Sequence, residues 1–299
     1  MSAVLGLGTY RVRAVDAAAR TAFREGATWV DTAPNYCHGQ AHGELRGALI
    51  EYPKVHVATK TGFHSGPQRR AALSAGLLTE AEAVAGHTLK PGFIRWQTRQ
   101  SLALLGRADL VFVHNPEHHQ ADRAHIHAAL LGAFEMLEEF AADGRIGGYG
   151  VATWSGFSSG AYTVADLLSL AQQAAGSPLH HLTGVQLPVS LVQLDPLTAA
   201  LRNEGPLAEA HTNGLATFAS APLHGGELLE LMTPELVEFI RPGLTPAEAA
   251  LLVVGSCPHL DVVLLSASTR AHWRLAAYVL SEPLASDELR KVTDVLAAG

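Results

Sequence analysis

Asp31, Tyr36, Lys60 and His114 are the side chains of this 299-residue sequence whose types and placement could do chemistry together. Each stands at or just after a strand-like run: Asp31 and Tyr36 in Trp29-Val-Asp-Thr-Ala-Pro-Asn-Tyr36, Lys60 at the end of Val55-His-Val-Ala-Thr-Lys60, and His114 at the end of Leu110-Val-Phe-Val-His114. Reducing a carbonyl takes a hydride at carbon and a proton at oxygen, because charge grows on the oxygen as the hydride arrives. A tyrosine hydroxyl can give that proton, but with a pKa of about 10 it is a weak acid, so a neighbouring cation, Lys60, is expected to lower its pKa. Asp31 is expected to pair with Lys60, since a buried ammonium without a partner is costly. His114 would hydrogen-bond the same oxygen and orient the substrate. One such residue alone is ordinarily a packing or capping residue; four compatible types at separate strand ends carry the reading together.

For the four to meet, their strands must share one mouth. Short aliphatic runs alternate with longer segments of helical period, the pattern of repeated βα units on a parallel sheet. Eight strands are expected, at Val4–Leu7, Trp29–Asp31, Val55–Thr59, Leu110–Val113, Ile146–Val151, Gly184–Leu187, Leu215–Phe218 and Val262–Leu265. Helices are expected near Val15–Glu25, His42–Glu51, Pro91–Leu105, His127–Ala142, Val164–Ala174, Leu197–His211, Pro246–Gly255 and Arg270–Leu280, with Glu25-Gly26, Asp143-Gly144 and Asn213-Gly214 as stop signals. Eight such pairs in a chain of this size fit a closed (β/α)8 TIM barrel, one α/β domain over residues 1–299, better than an open doubly wound sheet. The connection after Lys60 (Thr61 to Lys90) is long and is expected to fold partly into a helix and partly over the site; that after His114 (Asn115 to Ala124) is also irregular, and both leave the face where barrels bind substrates. Trp29 and Trp96 are expected in the barrel shell, while Phe63 and Trp154 are expected to line the pocket.

Composition narrows the partners. Charged residues are 16% of the chain, and the net charge of −7 shows no acidic or basic block, which argues against a nucleic-acid or anionic-membrane surface and for a small molecule. No apolar run approaches the roughly 20 residues that span a bilayer, the start has no secretion-signal pattern, and the two cysteines, Cys37 and Cys257, lack metal or disulfide spacing; a cytoplasmic protein is expected, with Cys37 packing rather than reacting. Sixteen histidines, among them His118-His119, His125-x-His127 and His180-His181, show no carboxylate-backed ligand spacing, so no metal is expected. Gly6-Leu-Gly8 lacks the third glycine of a dinucleotide fingerprint. No interface pattern is visible, and a monomer or weak homo-oligomer is expected.

The motifs resemble those of the aldo-keto reductases. The resemblance rests on Asp31-Thr-Ala-Pro-Asn-Tyr36 with Glu44-Leu-Arg-Gly-Ala-Leu49, on Val57-Ala-Thr-Lys60, on Leu110-Val-Phe-Val-His-Asn-Pro-Glu117 and on Gly144-Arg-Ile-Gly-Gly-Tyr-Gly-Val151, and covers essentially the whole chain. Further matches are Gly6-Leu-Gly8-Thr9, Val185-Gln186 and Ala221-Pro222-Leu223-His-Gly-Gly-Glu-Leu228. The resemblance implies a barrel holding a nicotinamide cofactor across its strand ends, with Tyr36 as acid supported by Lys60, Asp31 and His114. It implies that Gln186 and, in part, Thr153 hold the carboxamide. Gly8, Thr9, Pro222 and Leu223 would line the cofactor, and Ser266-Ala267-Ser268-Thr-Arg270 would clasp its phosphates. Arg270 and Arg274 favour NADP over NAD, because a guanidinium can grip a 2′-phosphate bidentately.

The sequence also departs from the family. Where a Ser-Asn pair commonly follows the fifth strand, Ala152 and Thr153 stand; the Glu and Asn that recognise adenine in the last helix are missing from Arg270-Ala-His-Trp-Arg274; and the N-terminal hairpin beneath the barrel is expected to be missing. The expected activity is NADP-dependent reduction of a small carbonyl compound. The alternative is a barrel with weakened or lost cofactor binding, acting as a non-redox lyase or isomerase or as a ligand-sensing partner.

Overall fold

The computed structural model describes residues 3–118 and 122–298; His119 lies outside them. Eight parallel strands close on themselves in chain order: β1 (Val4–Gly8), β2 (Trp29–Asp31), β3 (His56–Thr61), β4 (Leu110–His114), β5 (Tyr149–Ala152), β6 (Leu182–Pro188), β7 (Ala216–Ser220) and β8 (Val262–Leu265). The chain is therefore a (β/α)8 barrel. Its strands are buried on both faces, since helices cover the outside, and this explains their near-continuous apolar runs.

Alternation along the strands decides what fills the barrel. Ala58, Leu110, Phe112, Ala152, Phe218, Val262 and Leu264 form a single interior cluster, joined by Trp29 and Ala216. One step of period two further along the same strands come the polar side chains: Asp31 after Trp29, Lys60 after Ala58, His114 after Phe112. The register staggers them around the barrel, with Asp31 beside Ala58, Lys60 beside Phe112, and Gln186 and His114 both beside Ala152. The interior thus changes from apolar to polar at the C-terminal mouth.

Two features make room for that filling. Gly150 and Gly184 face one another so closely that a Cβ on Gly150 would stand 2.1 Å from the Gly184 carbonyl oxygen and 3.0 Å from the Phe112 ring. Only glycine lets the Phe112 ring occupy this level. At the other mouth Trp29 stacks on His56 at 4.8 Å and meets Phe218 edge-on at 5.0 Å, so it belongs to the barrel interior and not to the shell expected for it. Among the described residues no strand lies outside the eight.

Most expected helices form, with three kinds of difference. Leu197–His211 is two helices, Asp195–Leu201 and Gly205–Thr212, because Asn203 takes φ 57° and the Gly205-Pro206 pair restarts the helix. The strand expected from Ile146 joins the ladder only at Tyr149. The sequence reading also missed Leu228–Leu231, Pro234–Ile240 and the closing Ser286–Ala298 helix. The long connection after Lys60 carries Gly66–Ser74 and Glu80–Ala85, and a bridge between Phe63 and His87 folds it back over the mouth, as expected. No helix among the described residues is long and apolar enough to cross a membrane.

Candidate active site

The buried centre is an ion pair. Lys60, with 1% of its side chain exposed, donates to Asp31 Oδ2 and, at 3.3 Å, to the Thr32 carbonyl. Asp31 keeps its other oxygen for Gln186 Nε2 at 2.9 Å, while Thr9 Oγ1 donates to the Asp31 carbonyl at 3.0 Å. Burial pulls the Lys60 ammonium below its ordinary pKa, and Asp31 opposes that pull. Thr9 is fully buried, and Gln186, expected at the carboxamide, is buried and tied to Asp31.

Tyr36 is not on a strand. It opens a tight 3₁₀ turn, Tyr36–Gly39, in which Cys37 and His38 take left-handed φ values of 49° and 56°. The turn is held partly by Cys37 Sγ, 3.3 Å from the Val12 carbonyl oxygen; burial raises this thiol's pKa, the signature of packing, not of a reactive thiolate. Tyr36 stands half-buried with its ring face 4.9 Å from Lys60 Nζ and edge-on to His114 at 6.2 Å. Among the described residues its hydroxyl is hydrogen-bonded to neither Lys60 nor His114, and it lines the cleft.

The expectation that Lys60 lowers the Tyr36 pKa fails in this state. Burial raises it well above the ordinary value, helped by the Asp31 carboxylate and Tyr10. The Asp31 carboxylate, as a like charge to the phenolate, acts against ionisation of the phenol. The consequence is a phenol that keeps its proton. His114 is held neutral, its pKa pushed well below the usual histidine range by burial and then by Lys60. Its carbonyl accepts from His87 Nε2 at 2.9 Å, Phe63 packs edge-on against its ring at 4.9 Å, and its Nδ1 is buried with no hydrogen-bond partner among the described residues.

Asp31, Tyr36, Phe63 and His114 line one end of a cleft of about 700 Å³ that runs across the strand ends to Leu265 and Ser266, with Lys60 buried behind Asp31. Gly8, Thr153, Trp154, Gln186, Pro222, Leu223 and Ser266 line it as well. Ala267, Ser268, Arg270 and Arg274 are not in its lining, and the two arginines stand outside on the last βα helix, Arg270–Ser281. Both arginines are engaged: Arg270 Nε with Glu25 Oε1, and Arg274 Nε with Glu25 Oε2 at 2.9 Å.

Three supporting residues went without a role in the sequence reading. Glu117 Oε1 accepts from Thr153 Oγ1 at 2.7 Å and from the backbone N–H groups of Trp154 and Ser155 at 3.0 Å each, so one carboxylate shapes the loop after β5 and occupies the Thr153 hydroxyl. Gln97, fully buried, accepts from the Gly62 N–H at 2.8 Å and donates to the Phe63 carbonyl at 2.7 Å, fixing Phe63 at the pocket wall. Its signal was available, as a polar residue on the buried Phe93-Ile94-Gln97-Thr98-Ser101 face. Glu25 offered only the appearance of a helix end. Among the described residues no cluster of His, Cys, Asp or Glu could hold a metal.

A model of the Aldo/keto reductase family matches residues 5–297. D-threo-aldose 1-dehydrogenase from Pseudomonas sp. is 31% identical over 142 residues, 44% of this chain and 41% of that protein, so the match spans less than half the length of this relative. Among solved structures, the glycerol dehydrogenase of Gluconobacter oxydans superposes with a TM-score of 0.71 at 18% identity, covering 98% of this chain and 91% of that one. An aldo/keto reductase from Klebsiella pneumoniae, solved with NADP and acetate, superposes with a TM-score of 0.68 at 18% identity over 98% of this chain and 91% of that one.

Proposed function

The chain belongs to the aldo/keto reductase family of NAD(P)H-dependent oxidoreductases, and on that premise we propose that it reduces the carbonyl of a small molecule, with Tyr36 as general acid and NADPH as the donor. The observation that carries this reading is the joint placement of a protonated Tyr36, a buried Lys60–Asp31 pair and the unpaired Nδ1 of His114 at one end of a single cleft.

The cleft fits an extended dinucleotide. Its volume lies in the range of small-molecule and cofactor sites. Its floor is relieved at Gly8, where a Cβ would come within 3.3 Å of Ser266 Oγ, and its rim after β7 turns on Gly225 and Gly226 at φ 71° and 98°. To Gln186 and Thr153 we assign the carboxamide, with Pro222, Leu223 and Ser266 along the path; Ser268, Arg270 and Arg274, beyond the cleft lining, are assigned the phosphate end. When bound, the dinucleotide supplies hydride.

The residues do the rest. His114, neutral and anchored through His87 and Phe63, orients the substrate oxygen toward Tyr36. As charge builds there, the phenol gives up its proton, and the nearby Lys60 ammonium stabilises the phenolate left behind. Asp31 keeps that ammonium in place, and Gln186 and Thr9 keep Asp31 in place. Phe63 and Trp154 present apolar walls to the substrate.

Following NADPH absorbance with a panel of aldehydes, ketones and aldoses tests the proposal. Carbonyl-dependent NADPH consumption is expected; tight binding of a carbonyl compound without consumption of any nicotinamide donor would favour a lyase, isomerase or sensing role on the same barrel.

A further inference from the structure

Glu25 and Arg270 each sit at the electrostatically wrong end of a helix. Glu25 caps the C-terminus of Val15–Arg24, where backbone carbonyls already concentrate negative charge. Arg270 opens helix Arg270–Ser281, where unsatisfied N–H groups concentrate positive charge, and Arg274 follows one turn later on the same side. Neither placement is favoured alone. Together they cancel: the two guanidiniums converge through their Nε edges on one carboxylate, whose side chain is only 11% exposed while theirs are 66% and 60% exposed. Arg274 and Arg270 hold the Glu25 carboxyl below the usual carboxylate range, so it stays ionised through neutral pH.

Bidentate grip on a phosphate uses two N–H groups of one guanidinium edge. On both arginines the Nε edge is taken, and what remains faces solvent beside a fixed negative charge. A 2′-phosphate, carrying nearly two charges, gains less from such a pair than from two unengaged guanidiniums; a ribose 2′-hydroxyl loses nothing. We propose that Glu25 is the residue that sets the nicotinamide-dinucleotide preference of this chain, holding down the advantage of NADP(H) over NAD(H) so that both are accepted. This rests on the reading that Arg270 and Arg274 meet the adenosine phosphate.

The test uses the intact protein and adenosine-end probes without nicotinamide, 2′,5′-ADP and 5′-ADP, titrated calorimetrically against wild type, Glu25→Gln, Arg270→Gln and Arg274→Gln. Glu25→Gln preserves side-chain volume and removes the charge. The expected result is a rise of roughly fivefold or more in the ratio of 2′,5′-ADP to 5′-ADP affinity in Glu25→Gln, scaled on the interaction of surface ion pairs, with 5′-ADP affinity unchanged. The ratio should fall in each arginine variant. An unchanged or lowered ratio in Glu25→Gln, with the arginine variants still losing 2′,5′-ADP, overturns the role of Glu25 and leaves the phosphate site standing. Arginine variants that bind both probes like wild type overturn the inference together with the phosphate site. Circular dichroism of each variant, expected to match wild type, separates these outcomes from misfolding.

Discussion

The two ends of the cleft are built on different principles. At the β2–β4 end the polar groups are buried and committed to one another: Lys60 to Asp31, Asp31 to Gln186 and Thr9. At the β5–β8 end the polar groups are committed to residues outside the cleft, the buried Thr153 to Glu117 and the two exposed arginines to Glu25. A buried charge has few tolerable partners and so fixes its surroundings, whereas an exposed arginine pairs with whatever carboxylate the fold brings near. The chemical end is therefore preorganised, and the cofactor end is adjustable.

Substitutions should expose that difference. The largest effect is expected for Lys60→Met, which leaves Asp31 charged and unpaired in the interior: a loss of about 3–5 kcal/mol in denaturant unfolding, together with collapse of turnover. A loss under about 1 kcal/mol would show that the pair is not the centre of the fold's polar core.

Acid should weaken the same end next. His42, buried and bonded to Thr59 Oγ1 at 2.9 Å, is pushed from 6.5 down to about 3 by burial and then by Lys60. Because its folded value lies below its unfolded one, the unfolded chain takes up the proton first. Stability is complete above about pH 6.5 and falls as pH drops toward 3, by a few kcal/mol at most. In a pH series of melting curves, His42→Gln should flatten that fall; an unaltered slope would assign it to other groups.

Smaller still is Glu117→Ala, which frees four donors after β5, those of Thr153, Trp154, Ser155 and Tyr162, and is expected to cost about 1–3 kcal/mol and to weaken dinucleotide binding more than it slows bound-state turnover. Wild-type dinucleotide affinity would mean the loop keeps its shape without that carboxylate. Least of all, Glu25→Gln is expected to leave the melting temperature within the scatter of replicate measurements, since the two guanidiniums it pairs with are exposed. A clear drop would make the cofactor end as structurally committed as the chemical one.

The same contrast governs what the sequence discloses. Asp31, Lys60 and His114 were legible because a polar residue interrupting an apolar strand must be paired or used. Tyr36 was legible by type and proximity, but its raised pKa was not, since burial and the distance to Asp31 depend on geometry. The eight strands were readable from their apolar runs. The break at Asn203 was not, because nothing but a left-handed residue and a Gly-Pro restart marks it. Trp29 was misplaced because both barrel faces are apolar and alternation alone does not say which is inside. Glu117 and Glu25 act on partners 36 and 245 residues away, and no local pattern announces a carboxylate that arrives through topology.

The central claim, that Tyr36 supplies the proton, is tested most directly by single-turnover NADPH oxidation with a carbonyl substrate in wild type and Tyr36→Phe. The hydroxyl forms no hydrogen bond to Lys60 or His114, so the variant should fold and bind NADPH as wild type does, while the reductive step slows by roughly 10²–10⁴-fold. An equal rate of hydride transfer in the two proteins would contradict it.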